Sequence, residues 1–223
     1  MGQSFFVTFE VVEYPVHLRR FDTMSAEFYL GPMFSGKTTE ICRKLNRARL
    51  GGLDCAVVKY AGDTRYGSGP VIRSHDGSSL SESAATDNMG HLRIFEARSL
   101  LTVELSPEEL DVGVDEAQFY PDLREAIAIW MAEGRRVYIA ALDGDFRRNI
   151  FPPIARALSL ATRIVKLTAI CMMCSSRRQQ SVNEANYTIR TISNESVELI
   201  GAQDIYKAAC LSCYLRHAEE QGV

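Results

Sequence analysis

AEFYLGPMFSGKTTEICRKLNRARLGG, residues 26–52, joins an apolar hexapeptide to a glycine-bracketed turn and then to an amphipathic run. The hexapeptide AEFYLG predicts a short strand running straight into the turn. In TTEICRKLNRARL, Ile41, Leu45 and Ala48 recur at the spacing of one helix face, and Gly51-Gly52 supplies a stop. Between strand and helix lie Gly31, Pro32, Met33, Phe34, Ser35, Gly36, Lys37 and Thr38. Glycines at this spacing let the backbone wrap so that successive N–H groups point inward at a helix N-terminus, where the dipole is positive. Such a loop cradles a triphosphate. Lys37 is placed to neutralise the β- and γ-phosphates, and the Thr38 hydroxyl to bind magnesium. The stretch leaves open where the phosphate goes: to water, as in an ATPase or GTPase, or to a second substrate, as in a kinase.

Outward from this loop, strand-like and helix-like segments alternate. LDCAVVKY (53–60), LRIFEA (92–97), DVGV (111–114), RRVYIAALDGDF (135–146) and RIVKLTAI (163–170) read as strands. PDLREAIAIWMAEG (121–134) reads as a helix, with Pro121 near its start and Gly134 at its end. Residues 61–90 hold six serines and five glycines and read mostly as loop. Strands alternating with helices imply a mostly parallel sheet covered on both faces, the α/β architecture of P-loop NTPases. The character changes near residue 168, where a polar stretch and alternating YTIRTI and SVELI segments follow. The expected organisation is an N-terminal extension (1–23), an α/β domain (24–168), a small cysteine-bearing domain (169–216) and a tail (217–223).

Composition bounds the function. Of 223 residues, 46% are hydrophobic and 24% charged, a balance that supports a packed core. The net charge is −3 and the basic pairs are scattered (Arg19-Arg20, Arg135-Arg136, Arg147-Arg148, Arg177-Arg178), which argues against a nucleic-acid surface. No apolar run reaches the length of a membrane span. The first 23 residues carry Glu10 and Glu13 within their apolar part and no early basic cluster, so they make a poor signal peptide. Phe6 stands where a myristoylation motif needs serine or threonine. Six cysteines without a secretory signal point to a reducing compartment.

Two further constellations carry chemistry. Asp115 closes an apolar strand, where a magnesium-side carboxylate is expected, and Glu116 beside it is a candidate general base for whichever hydroxyl attacks the γ-phosphorus. An Asp-Glu pair alone does not separate activation of water from activation of an alcohol. Cys171-Met-Met-Cys174 and Cys210-Leu-Ser-Cys213 are two CxxC knuckles with 35 residues between them. Four thiolates from two such turns form the shell of a structural zinc. A thioredoxin-like redox role is the alternative, but neither pair has the strand-to-helix context that motif uses. Cys42, Cys55 and Trp130 read as core residues, and the four histidines show no ligand spacing.

LGPMFSGKTTE, KYAGDTRY, VDEAQFYPD, ALDGDF, VKLTAICMMC and YTIRT…VELIGAQDIYKAACLSCY together resemble the zinc-containing, cytosolic type of thymidine kinase, in order from about residue 26 to 216. The resemblance implies transfer of the ATP γ-phosphate to the 5′-hydroxyl of thymidine, with deoxyuridine a weaker substrate and dTMP feeding DNA synthesis by salvage. It makes Glu116 the catalytic base, with Lys37 and Arg65 stabilising the transferred group. It places Asp63, Thr64, Arg65, Asp115 and Gln118 with the phosphate loop around ATP, and Thr38 and Asp115 on magnesium. Around the nucleoside it places Met33, Phe119, Leu142, Phe146, Phe151, Thr188 and Tyr206. Backbone groups of Val197, Glu198, Leu199, Ile200 and Gly201 then read the base edge from a lasso tied by zinc at Cys171, Cys174, Cys210 and Cys213. The resemblance also implies a cytoplasmic homo-oligomer, a tetramer or dimer, inhibited by dTTP. The polar stretch SSRRQQSVNEA is longer here than in the shortest family members. The competing reading is a zinc-ribbon ATPase acting on nucleic acid; a non-catalytic nucleotide-binding regulator is opposed by the intact Lys37, Thr38, Asp115 and Glu116.

Overall fold

Runs of valine, isoleucine and alanine without polar alternation suit strands buried on both faces, and here they assemble side by side in one direction. The computed structural model describes residues 24–63, 71–73, 79–82, 89–176, 182–191 and 205–221. In chain order the elements are β1 (Ser25–Gly31), α1 (Lys37–Leu50), β2 (Asp54–Tyr60), β3 (Val71–Arg73), β4 (Ser79–Ser81), β5 (Leu92–Ala97) and β6 (Glu109–Val114). There follow α2 (Leu123–Ala132), β7 (Arg136–Leu142), α3 (Pro152–Ala157), β8 (Arg163–Lys166), β9 (Ala169–Ile170) and α4 (Met172–Ser176). The chain continues through β10 (Glu184–Ala185), β11 (Tyr187–Arg190), β12 (Tyr206–Ala209) and α5 (Leu211–Gln221).

Six strands form a wholly parallel sheet in the order β5-β2-β6-β7-β1-β8. Strand alternation divides its side chains between two cores. Ala26, Phe28 and Leu30 of β1, with Val137, Ile139 and Ala141 of β7, face α2 and α3, where Leu123, Ala126, Ile127, Trp130 and Ile154 meet them. Tyr29, Tyr138 and Ala140 point the other way, onto Ile41, Cys42 and Leu45 of α1. Cys42, Cys55 and Trp130 are core residues, and burial pushes the Cys55 thiol up to about 12, which keeps it unreactive. At the base of the sheet the buried Asp111 carboxylate is held by Arg136 and by the Tyr138 hydroxyl, so its charge is not left uncompensated.

Beyond β8 the chain builds a smaller unit from two antiparallel pairs, β9–β10 and β11–β12, around a third cluster that includes Cys171, Cys174, Cys213, Ile189 and Tyr214. RIVKLTAI, expected as one strand, is two. Its first half pairs with β1 as far as Leu30, and the ladder stops where β1 turns into the phosphate loop; Ala169–Ile170 then pair with β10. Residues 61–90 are not all loop, because β3 and β4 form a short antiparallel pair. Residues 217–221, expected as tail, continue α5. Three helices have no counterpart in the sequence reading: α3 and α4, with six and five residues, are too short to display a helical period, and α5 begins inside the second knuckle.

Gly113 of β6 lets α1 lie directly on the sheet. A Cβ there would stand 2.6 Å from Ile41 Cγ2 and 3.0 Å from both Leu45 Cδ1 and Val57 Cγ2. These are methyl groups of short, branched side chains that are themselves fully buried, so relief requires shifting α1, which carries two of them and starts at the phosphate loop. Gly113→Ala is expected to destabilise the fold by about 1–3 kcal/mol, read as a lower denaturant midpoint at unchanged slope. An unchanged midpoint would show that the helix does not rest on that glycine.

Candidate active site

In a parallel sheet the loops after the C-terminal strand ends share one edge, where ligands bind. Gly31 ends β1, Asp63 follows β2, Asp115 and Glu116 follow β6, and Leu142 ends β7. The phosphate loop is shaped by two left-handed residues, Phe34 (φ 64°) and Gly36 (φ 79°). Gly36 adopts that conformation without a Cβ penalty and starts α1, its carbonyl accepting from the Glu40 N–H at 3.0 Å. Ser35 Oγ and Lys37 Nζ both donate to the Pro32 carbonyl, at 2.9 and 2.7 Å. Lys37 therefore curls back over the loop, its ammonium engaged with the loop's own backbone.

The Thr38 hydroxyl donates to the Asp115 carboxylate, 3.1 and 3.3 Å from its two oxygens. A hydroxyl and a carboxylate side by side at the loop are hard oxygen donors of the kind magnesium takes. Glu116 comes next, and its backbone is unusual. It sits at φ 50°, ψ 43°, a left-handed conformation that costs a non-glycine residue of order 1 kcal/mol or more. The turn is held by the Glu116 N–H donating to Asp115 Oδ1 at 3.1 Å. Its carboxylate is aimed by Gln118, whose Nε2 donates to Glu116 Oε2 at 2.6 Å. Gln118 is itself only 2% exposed and accepts through Oε1 from the Leu142 N–H at 3.1 Å, so the end of β7 sets the position of the acid. This relay fixes the direction of one carboxylate oxygen, and an ionised carboxylate is an acceptor of the kind that general-base chemistry uses.

Among the apolar candidates, Phe119 stacks against Tyr60 at the end of β2, ring centroids 5.0 Å apart. Met33 donates its N–H to the Thr188 hydroxyl at 3.0 Å, tying the phosphate loop to β11. The Phe146 carbonyl accepts from the Tyr214 hydroxyl at 2.9 Å. Tyr206 lies at the start of β12 and its hydroxyl accepts from Arg190 at 3.1 Å. Phe151 caps α3 and is packed, with the half-buried Leu142 beside it, into the core beneath α2 and α3. Asp63 turns back on β2, its N–H donating to the Tyr60 carbonyl at 2.9 Å. Thr64, Arg65 and the segment Val197 to Gly201 lie outside the described residues.

The two CxxC knuckles converge. All four sulfurs of Cys171, Cys174, Cys210 and Cys213 lie within 4.8 Å of one another. Cys174 Sγ is 3.9 Å from that of Cys210 and 3.6 Å from that of Cys213. A tetrahedron with zinc–sulfur bonds of about 2.3 Å requires sulfurs about 3.8 Å apart, so the donor set fits zinc. Burial opposes ionisation of Cys171, yet the backbone N–H groups of Cys210 and Cys174 and the neighbouring thiols outweigh it and bring its pKa down to about 7. Asn183 Nδ2 and Arg216 Nη2 donate to the sulfurs of Cys174 and Cys213, at 3.2 and 3.4 Å, the kind of outer contact that orients metal thiolates. Sequence reasoning missed these two, and also Arg190, Tyr214 and His217. The available signal was on α5: Cys213 and Arg216, and likewise Tyr214 and His217, are spaced three apart and so share a helix face.

A family model described as thymidine kinase matches residues 24–214 of the chain. Among named relatives, the thymidine kinase of raccoon poxvirus is 35% identical over 189 residues, 85% of this chain and 96% of the relative. That of vaccinia virus (strain Western Reserve) is 35% identical over 190 residues, with the same coverage of both chains. The cytosolic thymidine kinase of Homo sapiens is 38% identical over 195 residues, 86% of this chain and 74% of the relative.

If Thr38 and Asp115 hold magnesium, ATP should bind more tightly in its presence, and Thr38→Val or Asp115→Asn should abolish that gain, about tenfold for one charge-assisted contact. Calorimetric titration with and without magnesium measures it. An undiminished magnesium effect in both variants would remove the pair from the metal site.

Proposed function

The chain belongs to the thymidine kinase family, and we propose that it transfers the γ-phosphate of ATP to the 5′-hydroxyl of thymidine, giving dTMP and ADP. The observation that carries this reading is Glu116, held by Gln118 beside the Thr38–Asp115 pair and one residue from it. Water activation needs no second pocket. Here the Met33–Thr188 bond joins the phosphate loop to a second structural unit, which supports an organic acceptor.

In the reaction, the loop's N–H groups and Lys37 hold the phosphates and balance their charge. Glu116 takes the proton of the 5′-hydroxyl as the oxygen bonds to the γ-phosphorus and the bond from that phosphorus to the ADP oxygen breaks. Gln118 keeps the carboxylate aimed throughout, and Arg65 is assigned to the charge that develops on the transferred group. Magnesium, bound by Thr38 and Asp115, would supply further neutralisation of the β- and γ-phosphates. Met33, Phe119, Leu142, Phe146, Phe151, Thr188 and Tyr206 are assigned to the nucleoside, and Val197 to Gly201 to the edge of its base. The four cysteines would hold a zinc whose positions are all filled by protein, so its part is to fix the ends of the intervening segment. Deoxyuridine as a weaker substrate, inhibition by dTTP and assembly into a tetramer or dimer extend the same reading. A cytosolic relative supports a cytoplasmic location; no helix among the described residues is long and apolar enough to cross a membrane. The nucleic-acid ATPase reading is not favoured, because the family match covers both the phosphate loop and the knuckles.

Glu116→Gln keeps the shape and the hydrogen bond to Gln118's side and removes the base. It should lower kcat for thymidine by about 10²–10⁴-fold while thymidine and ATP still bind. Wild-type turnover by this variant would end the assignment of Glu116.

A further inference from the structure

Arg190, the last residue of β11, is only 5% exposed, although burying a guanidinium is costly unless its surroundings engage it. Its guanidinium carbon lies 3.9 Å from the centroid of the Phe146 ring, close cation–π contact, and 5.5 Å from that of Tyr206. Nη2 donates to the Tyr206 hydroxyl at 3.1 Å. The backbone at this point is held as well. His217 Nε2 donates to the Arg190 carbonyl at 2.9 Å, and Tyr214, on the same face of α5, donates to the Phe146 carbonyl. One guanidinium thus orients two aromatic side chains from different elements, and one helix, continuous with the zinc ligand Cys213, pins the backbone beneath both.

We propose that Arg190 is a positioning residue for nucleoside recognition: it sets the plane of the Phe146 ring and the direction of the Tyr206 hydroxyl before substrate arrives. The proposal rests on the assignment of Phe146 and Tyr206 to the nucleoside pocket. Two preset aromatic side chains spare the nucleoside the cost of ordering them, so removing Arg190 weakens nucleoside binding and leaves the phosphate loop intact. Arg190 does not touch the reacting atoms. Its effect belongs in the KM for thymidine and not in the KM for ATP.

The test is steady-state kinetics on the full chain for wild type, Arg190→Met, Arg190→Lys, Phe146→Leu and the Arg190→Met/Phe146→Leu double variant, with zinc content and melting temperature measured for each. Arg190→Met should raise the thymidine KM about tenfold with the ATP KM within about twofold. Arg190→Lys, which keeps the charge but loses the planar fork, should fall between. In the Phe146→Leu background the further loss of Arg190 should change the thymidine KM by less than about twofold, because the ring it acts through is gone. If Arg190→Met loses zinc or melts early, Arg190→Lys decides: a thymidine-selective rise in KM supports the proposal, and its absence overturns it. Equal rises in both KM values overturn it in favour of a purely structural arginine. A thymidine KM unmoved in the Arg190 variants but raised in Phe146→Leu overturns the role of Arg190 and leaves the nucleoside pocket standing. A thymidine KM unmoved by Phe146→Leu, or no thymidine phosphorylation by wild type, overturns the pocket assignment and the proposal with it.

Discussion

The hydrogen bond from the Met33 N–H to the Thr188 hydroxyl joins the phosphate loop to the cysteine-bearing unit, and the proposed transfer to a nucleoside is built on that junction. Thr188 is 6% exposed, so the bond is shielded from water and has little competition from it. Its consequence is positional. Phosphoryl transfer is sensitive to the distance between attacking oxygen and phosphorus, and misplacement of about 1 Å can cost 10²-fold in rate. A loop that grips the donor while its own backbone is bonded to the unit assigned to the acceptor removes one source of such error. Phe34 of the same loop also packs against the cysteine-bearing cluster, adding apolar contact at the junction.

Around that junction the polar groups are arranged in relays. Glu116 pays for its left-handed backbone with a carboxylate that is aimed from two sides: the turn is closed by Asp115, and the acid is held by Gln118. Gln118 in turn reads the end of β7 through the Leu142 N–H. The edge of the parallel sheet thus acts as a ruler, with β1, β6 and β7 each delivering one part of the site. On the far side α5 does the equivalent for Phe146 and Arg190 through Tyr214 and His217. Zinc at the four cysteines would hold the N-terminal end of α5 and so reach the pocket wall without touching substrate.

Much of this was legible in the sequence because the chemistry is local. Gly31 to Thr38 are consecutive, Asp115 and Glu116 are adjacent, and each cysteine pair occupies one turn, so spacing alone picks them out as candidates, while the acceptor came only with the family resemblance. The strand pattern was legible for the same reason, since buried strands announce themselves as apolar runs. What escaped was set by contact across long separations. That RIVKLTAI breaks at Leu167 follows from where β1 ends, which the segment's own residues do not record. The role of Gln118 depends on meeting Leu142, and that of Arg190 on meeting Phe146 and Tyr206. α3 and α4 are too short to show a period, and the first turn of α5 coincides with a metal knuckle, whose spacing hides the helix.

A kinase and an ATPase with this phosphate loop differ in whether the phosphate goes to thymidine or to water. The most direct measurement is to incubate the chain with ATP and magnesium, alone, with each nucleoside in turn, and with DNA, and to follow nucleoside monophosphate and ADP together. Transfer to thymidine predicts dTMP formed in equal amount to ADP with thymidine, less product with deoxyuridine, and little ADP without an acceptor. ADP released at the same rate without thymidine, or released faster with DNA and without dTMP, would contradict it.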